Sequence, residues 1–263
     1  MKWAFCDLYG LSPDSSVAKS RAATISFIMR VQRILLSNAK GGCGKTTLAT
    51  NIAAWYAANG QQIRLFDYDT QGSAMHWSKR RSPEYPLIDA VDAARRPGNN
   101  MTRSWQMRVP PQTDRVIIDT PAGIDGPELA SMLQENDFLI IPVLPSPIDI
   151  QATAYFIRDI LLIGKARKKQ IHIGVVANRV RKNTLMYHAL ERFLFTLKLP
   201  FITSFRDTQH YNKAIEKGLG ILDNKSAVTR IDHEQWAPLL RWLDAPEQTA
   251  EVEVTPLFGE KAS

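Results

Sequence analysis

The chain has 263 residues, 44% of them hydrophobic, which is enough to bury a sizeable core. Its 33 Lys and Arg against 26 Asp and Glu leave a net charge of +7. The basic excess points to a polyanionic partner, nucleic acid or an anionic membrane surface. Two cysteines, Cys6 and Cys43, exclude a disulfide framework, and no apolar run approaches the ~20 residues that span a bilayer.

Residues 1–30 differ from the rest of the chain. Asp7, Asp14 and Lys19 interrupt the apolar core that a signal peptide needs, and Ser12 to Ser16 read as a loop. This segment is either a loosely ordered N-terminal extension or translation from an upstream start, with Met29 as the other start; both stay open. From Val31, short apolar strands alternate with helical stretches. Ile34–Leu36 is the first strand, and Thr46–Asn59 is a helix stopped by Asn59-Gly60. Further strands are expected at Ile63–Phe66, Val116–Ile118, Phe138–Ile141, Ile171–Ala177 and Pro200–Ile202. Helices are expected near 127–135, 147–164, 184–197, 208–218 and 233–243. Residues 82–112 hold five prolines and read as mostly irregular. The tail 245–263, acidic at Glu251 and Glu253, reads as disordered. Strands apolar throughout and separated by helices imply an α/β fold with a doubly wound, mostly parallel sheet over residues 31–244.

Three motifs lie at strand ends. Ala39-Lys40-Gly41-Gly42-Cys43-Gly44-Lys45-Thr46-Thr47 comes after the first strand and opens a helix, the setting of a phosphate loop. Its glycines let backbone N–H groups turn inward onto phosphate oxygens, and the helix N-terminus adds partial positive charge. Lys45 would reach the β- and γ-phosphates, and the Thr46 hydroxyl would bind Mg²⁺. Cys43 reads as a small residue that fits, its thiol somewhat acidified by the helix terminus. Asp67-Tyr68-Asp69-Thr70-Gln71-Gly72 ends the second strand, where two neighbouring carboxylates repel without a cation. Val116-Ile117-Ile118-Asp119 is an apolar strand ending in a carboxylate that would hold Mg²⁺ through water. Thr120 to Gly123 would then form a segment sensing the γ-phosphate.

The first motif departs from the usual G-x-x-x-x-G-K-[ST], because Ala39 stands at the first glycine. It resembles instead the deviant Walker A motif of the ParA/MinD family, K-G-G-x-G-K-T-[ST], at every fixed position. That resemblance implies a P-loop domain of the SIMIBI type, an ATPase that uses ATP and Mg²⁺ and dimerises around the nucleotide. Lys40 is then the signature lysine that reaches the phosphates of the partner's ATP, and Lys40, Lys45 and Asp69 are the catalytic residues. Asp67 would lie near the metal's water shell, and Asp69 would orient the attacking water. The family shows D-x-D-P-Q-G here, so Thr70 departs from its proline. Gly72-Ser73-Ala74 followed by Trp77 and the segment Pro142-Val143-Leu144-Pro145-Ser146-Pro147 are similar to ParA-type members. The family likeness assigns Asn178, with Arg179, to the adenine edge and brings Asp207 near the base. It extends from Val31 to Leu243.

On the use of the ATPase, three classes compete. A carrier of metal clusters or electrons would need cysteine pairs, which Cys6 and Cys43 do not offer. A MinD-like membrane cycler would need a basic amphipathic C-terminal helix, and the acidic tail broken by Pro256 makes a membrane partner unfavourable. The remaining class is a ParA-type ATPase that binds double-stranded DNA nonspecifically as an ATP homodimer. DNA contacts are expected from Lys165, Arg167, Lys168 and Lys169, and from Arg181 and Lys182. Such a protein is cytoplasmic and nucleoid-associated. It positions a plasmid, chromosome or protein body such as a carboxysome, with a ParB-like or other cargo adaptor that stimulates hydrolysis.

Overall fold

The structure is a computed structural model that describes residues 31–98, 101–124, 126–165, 171–197 and 199–245. Seven parallel strands form one sheet in the order β3-β2-β4-β1-β5-β6-β7. They are β1 (Gln32–Leu36), β2 (Ile63–Asp67), β3 (Asp89–Asp92), β4 (Arg115–Asp119), β5 (Phe138–Val143), β6 (His172–Val180) and β7 (Phe201–Arg206). Eight helices accompany them among the described residues: α1 (Lys45–Ala58), α2 (Ser73–Arg80), α3 (Arg103–Gln106), α4 (Gly126–Glu135), α5 (Pro147–Lys165), α6 (Leu185–Thr196), α7 (His210–Glu216) and α8 (Arg230–Asp244). The sheet is therefore wholly parallel, as the unbroken apolar strands predict.

Strand geometry sends alternate side chains to opposite faces. In β1, Ile34 and Leu36 join the core packed with α1 and α8, while Leu35 joins the core on the other face, with α4, α5 and α6. The winding of the sheet diverges at β1 and β4: the connection after β1 leads to β2 on one side, and that after β4 leads to β5 on the other. Their carboxyl ends therefore flank the crevice in which open parallel sheets bind ligands.

The segment 82–112 is less irregular than its prolines suggest, since it contains β3 and the single-turn α3. Strand β3 reads Asp-Ala-Val-Asp and bonds only to β2, so as an edge strand it needs no apolar run. Helix α2 is short and mostly polar, and buries only Ala74 and Trp77, three residues apart. Strand β7 runs on to Arg206, and α8 begins at Arg230. Residues 1–30 and 246–263, the expected extension and nearly all of the expected tail, lie outside the described residues.

Candidate nucleotide site

Three strand ends converge on the phosphate loop. Leu36 and Asp67 both stand in register with Asp119, so β1, β2 and β4 finish side by side. The loop between β1 and α1 is tied down at both ends. Buried Asn38 donates through Nδ2 to the Pro142 carbonyl at 2.7 Å and to Thr153 Oγ1 at 3.0 Å, fixing the loop entrance to β5 and α5. At the exit, Gly44 has φ 100°, a conformation that side chains rarely adopt. A Cβ there would also lie 2.0 Å from Asn178 Nδ2. The Asn178 amide donates instead to the Cys43 carbonyl at 2.8 Å, and its Oδ1 accepts from the Arg179 amide at 3.0 Å. The residue assigned to the adenine edge is thus buried against the phosphate loop as well.

Lys45 is buried, and its Nζ donates to the Lys40 carbonyl at 3.1 Å, which keeps its charge inside the loop. The side chain of Lys40 is part-exposed at the loop's edge. Cys43 corrects an expectation. It is fully buried, and desolvation pushes its thiol up; the opposing Lys45 charge is a smaller effect. Burial outweighs the helix terminus, and the thiol is not acidified.

The carboxylates divide into two kinds. Asp67 accepts from the Asp69 amide and the Met75 amide, each at 3.0 Å, so it braces the turn leading into α2. Burial pushes its carboxyl up, against these two bonds. Asp69 is part-exposed and accepts from the Gln71 amide at 2.9 Å. Asp119 is completely buried, and among the described residues neither of its oxygens makes a well-formed hydrogen bond, although the Thr46 hydroxyl stands close enough to favour its charge. Burial pushes it up to about 7; the Thr46 hydroxyl opposes this, Asp67 reinforces it, and Lys45 opposes it more weakly. An unpartnered buried carboxylate is costly unless a cation or its water shell satisfies it. The set of Asp119, Asp67 and the Thr46 hydroxyl, all oxygen donors, therefore fits a hydrated Mg²⁺.

The segment after β4 touches the loop directly. Gly123 donates to the Ala39 carbonyl at 3.0 Å, and a Cβ on Gly41 would stand 3.6 Å from that of Ala122. Thr120 donates to the Leu36 carbonyl at 2.9 Å. Sequence reasoning missed Thr120 as an anchor, and Asn38 altogether. Asn51 was missed too: it bonds the Thr47 carbonyl at 2.7 Å and accepts from the Ile221 amide at 2.6 Å. The available signal was a buried-face polar residue in an otherwise apolar helix.

The remaining candidates lie at the β6–β7 rim. Asp207 accepts from Arg181 Nε at 2.9 Å and Nη2 at 2.7 Å, and Arg179 Nε stands 3.6 Å away. Lys182 is exposed in the turn before α6. Lys165 is the last residue of α5, while Arg167, Lys168 and Lys169 lie outside the described residues.

Residues 34–221 match the family model described as CobQ/CobB/MinD/ParA nucleotide binding domain. The chain is 32% identical over 197 residues to the Maintenance of carboxysome distribution protein A of Halothiobacillus neapolitanus, covering 72% of this chain and 85% of that one. Its fold is similar to that of Cyanothece McdA in complex with ATP, with a TM-score of 0.60, 15% identity, and coverage of 82% of this chain and 96% of that one. It is also similar to the MinC:MinD cell division protein complex of Aquifex aeolicus, with a TM-score of 0.59, 20% identity, and coverage of 82% and 96%.

Proposed function

The chain belongs to the CobQ/CobB/MinD/ParA family of nucleotide-binding domains, and on that premise we propose that it is a ParA-type ATPase that positions a cargo. It dimerises on Mg-ATP, binds DNA without sequence preference, and releases it when an adaptor on the cargo triggers hydrolysis. The observation that carries the nucleotide chemistry is Asp119: a buried carboxylate with no well-formed hydrogen bond among the described residues, beside Asp67, at the mouth of a phosphate loop with a buried lysine.

In this reading the backbone amides of Gly41 to Thr47 and the Lys45 ammonium hold the phosphates. Thr46 and Asp119 hold Mg²⁺, the latter through water, and when bound the ion neutralises charge on the phosphoryl group. Asp67 keeps the Asp69 turn in place through its two backbone bonds. Asp69, part-exposed with its second carboxylate oxygen available, orients the attacking water. Lys40 acts on the partner subunit's nucleotide, where a cation in trans stabilises the transferring group. Asn178 and Arg179 serve the base end, with Asp207 holding Arg179 and Arg181 in place. A carboxysome is one cargo this reading allows, by analogy with the relative's name; a plasmid or chromosome is another.

DNA binding rests on charge. One subunit presents few phosphate contacts, and a dimer doubles them on one face, so log affinity rises with nucleotide-driven dimerisation. The protein is then cytoplasmic and nucleoid-associated. The test is a titration of nonspecific duplex DNA with ATP, ADP or no nucleotide, repeated with anionic vesicles. Strong binding with ATP alone is expected. Equal DNA binding in all three states would remove the switch, and binding to vesicles but not DNA would make the protein a MinD-like membrane cycler.

A further inference from the structure

At the opposite end of α1 from the phosphate loop lies a cavity of about 640 Å³. Its apolar wall is Trp55, Tyr85 and Leu222, and its cations are Lys225 and Arg230, the latter in a long, exposed ion pair with Glu234 at 3.7 Å, with His233 beside them. The carboxylate in its lining, Asp223, is already committed to Arg81 at 3.0 Å with its side chain 4% exposed. The cavity therefore offers aromatic surface under a basic rim, suited to an extended segment that is both apolar and acidic.

We propose that the C-terminal segment of this chain, residues 246–258, docks in this cavity. Its composition is complementary. Glu247, Glu251 and Glu253 carry the charge, and Val252, Val254, Leu257 and Phe258 supply apolar side chains, in a chain that is otherwise basic. Its point of departure is close. Asp244, the end of α8, accepts from the Tyr56 hydroxyl at 3.0 Å and from Arg115 at 2.7 Å. Tyr56 shares the last turns of α1 with Trp55, so the segment starts roughly one helix width, ~10 Å, from the cavity. Extended chain covers ~3.3 Å per residue, so the thirteen residues 246–258 reach it with slack. Tethering raises the local concentration to about the millimolar range, so weak contacts suffice.

Occupancy would bear on α2. Arg81, which comes directly after that helix, bonds Asp223 and lies 5.1 Å over the Tyr85 ring, so it touches two cavity residues. Trp77 of α2 donates to the Leu219 carbonyl at 3.0 Å in the same strip. Helix α2 begins just beyond the Asp69 turn, so a filled cavity steadies the far end of that element.

The test is zero-length carbodiimide crosslinking of the full-length, nucleotide-free protein at low salt, with mass spectrometry of the monomer band. Links from Lys225 to Glu251 or Glu253 are expected to dominate, and to fall about tenfold in Trp55→Ala and in 0.5 M salt. Arg230→Glu, at an exposed position with no core role, should give a similar loss and guards against a folding defect in Trp55→Ala. Tail links spread evenly over Lys79, Lys213, Lys217 and Lys225 would overturn the proposal. So would links confined to the dimer band, which would make the occupant a second copy's tail. Because no nucleotide is present, the outcome is independent of the proposed ATPase cycle.

Discussion

The carboxyl ends of β1, β2 and β4 and the rim of β6 and β7 both carry charged candidates, and they treat charge in opposite ways. At the first, Lys45, Asp67 and Asp119 are buried, and among the described residues the Asp119 oxygens make no well-formed hydrogen bond. At the second, Arg179 and Arg181 are exposed, and both lean on Asp207. A buried unsatisfied charge is expensive, so its retention points to a ligand. An exposed ion pair contributes about 0–1 kcal/mol and points to little by itself. The first region therefore specifies a chemistry, and the second offers a surface.

The largest expected effect falls on the buried side. Lys45→Ala should abolish ATP binding, by about two orders of magnitude or more, because the phosphates lose their main cation. Equilibrium binding of a labelled ATP analogue measures this; near-normal affinity would break the contrast between the two regions. Asp69→Ala should still bind ATP but turn over about 100-fold more slowly, on the proposed role of its carboxylate in orienting water and not in holding phosphate. Nucleotide binding and phosphate release, measured separately, decide it.

Lys40→Ala sharpens the comparison within the loop itself. Its amide and carbonyl stay in place, so the cradle persists, while dimerisation and hydrolysis should weaken. Mixing it with Lys45→Ala protein should restore activity in hybrid dimers, to at most about half of the sites. A wild type that stays monomeric by light scattering with ATP would end that idea.

The pH dependence comes from Asp119. Its pKa rises from the ordinary carboxylate range to about 7 on folding, so the folded state binds the proton more tightly than the unfolded chain. Nucleotide-free stability should then fall as pH rises from about 4 to about 7. Chemical denaturation across that window should show the slope, and Asp119→Asn should flatten it while removing turnover. The smallest effect belongs to the rim. Lys182→Ala should reduce the salt slope of DNA binding by about one unit, and Arg181→Ala by less, because Asp207 already holds that guanidinium. Titrations at several salt concentrations separate them; a larger effect at Arg181 would reverse the ranking.

The phosphate loop and the strand ends were legible because their chemistry restricts residue types to glycine, lysine, threonine and aspartate at fixed spacing. The parallel sheet was legible because strands buried on both faces must be apolar throughout. The edge was not: β3 is half charged, and α2 is eight mostly polar residues with two buried side chains, too short for its helical spacing to stand out. The acidity of Cys43 was misjudged because a local rule about helix ends took no account of burial, which only the tertiary fold supplies. The bond from Asn178 to the phosphate loop was invisible for a similar reason, since its partner Cys43 is 135 residues away in the chain.

The central position of β1 has a consequence for synthesis. Its hydrogen-bonding neighbours are β4 and β5, which begin at Arg115 and Phe138. A ribosome must therefore extend the chain by about 80 residues before the first strand has either companion, and further still before Asn178 can reach the loop. Until then, apolar β1 and its glycine-rich sequel are present without the surfaces that order them, and such contacts between distant parts of a chain close slowly. The nascent protein accordingly spends several seconds, at ~5–20 residues per second, with its central strand unsheltered. Chaperones that bind short apolar stretches have their main opportunity in that interval.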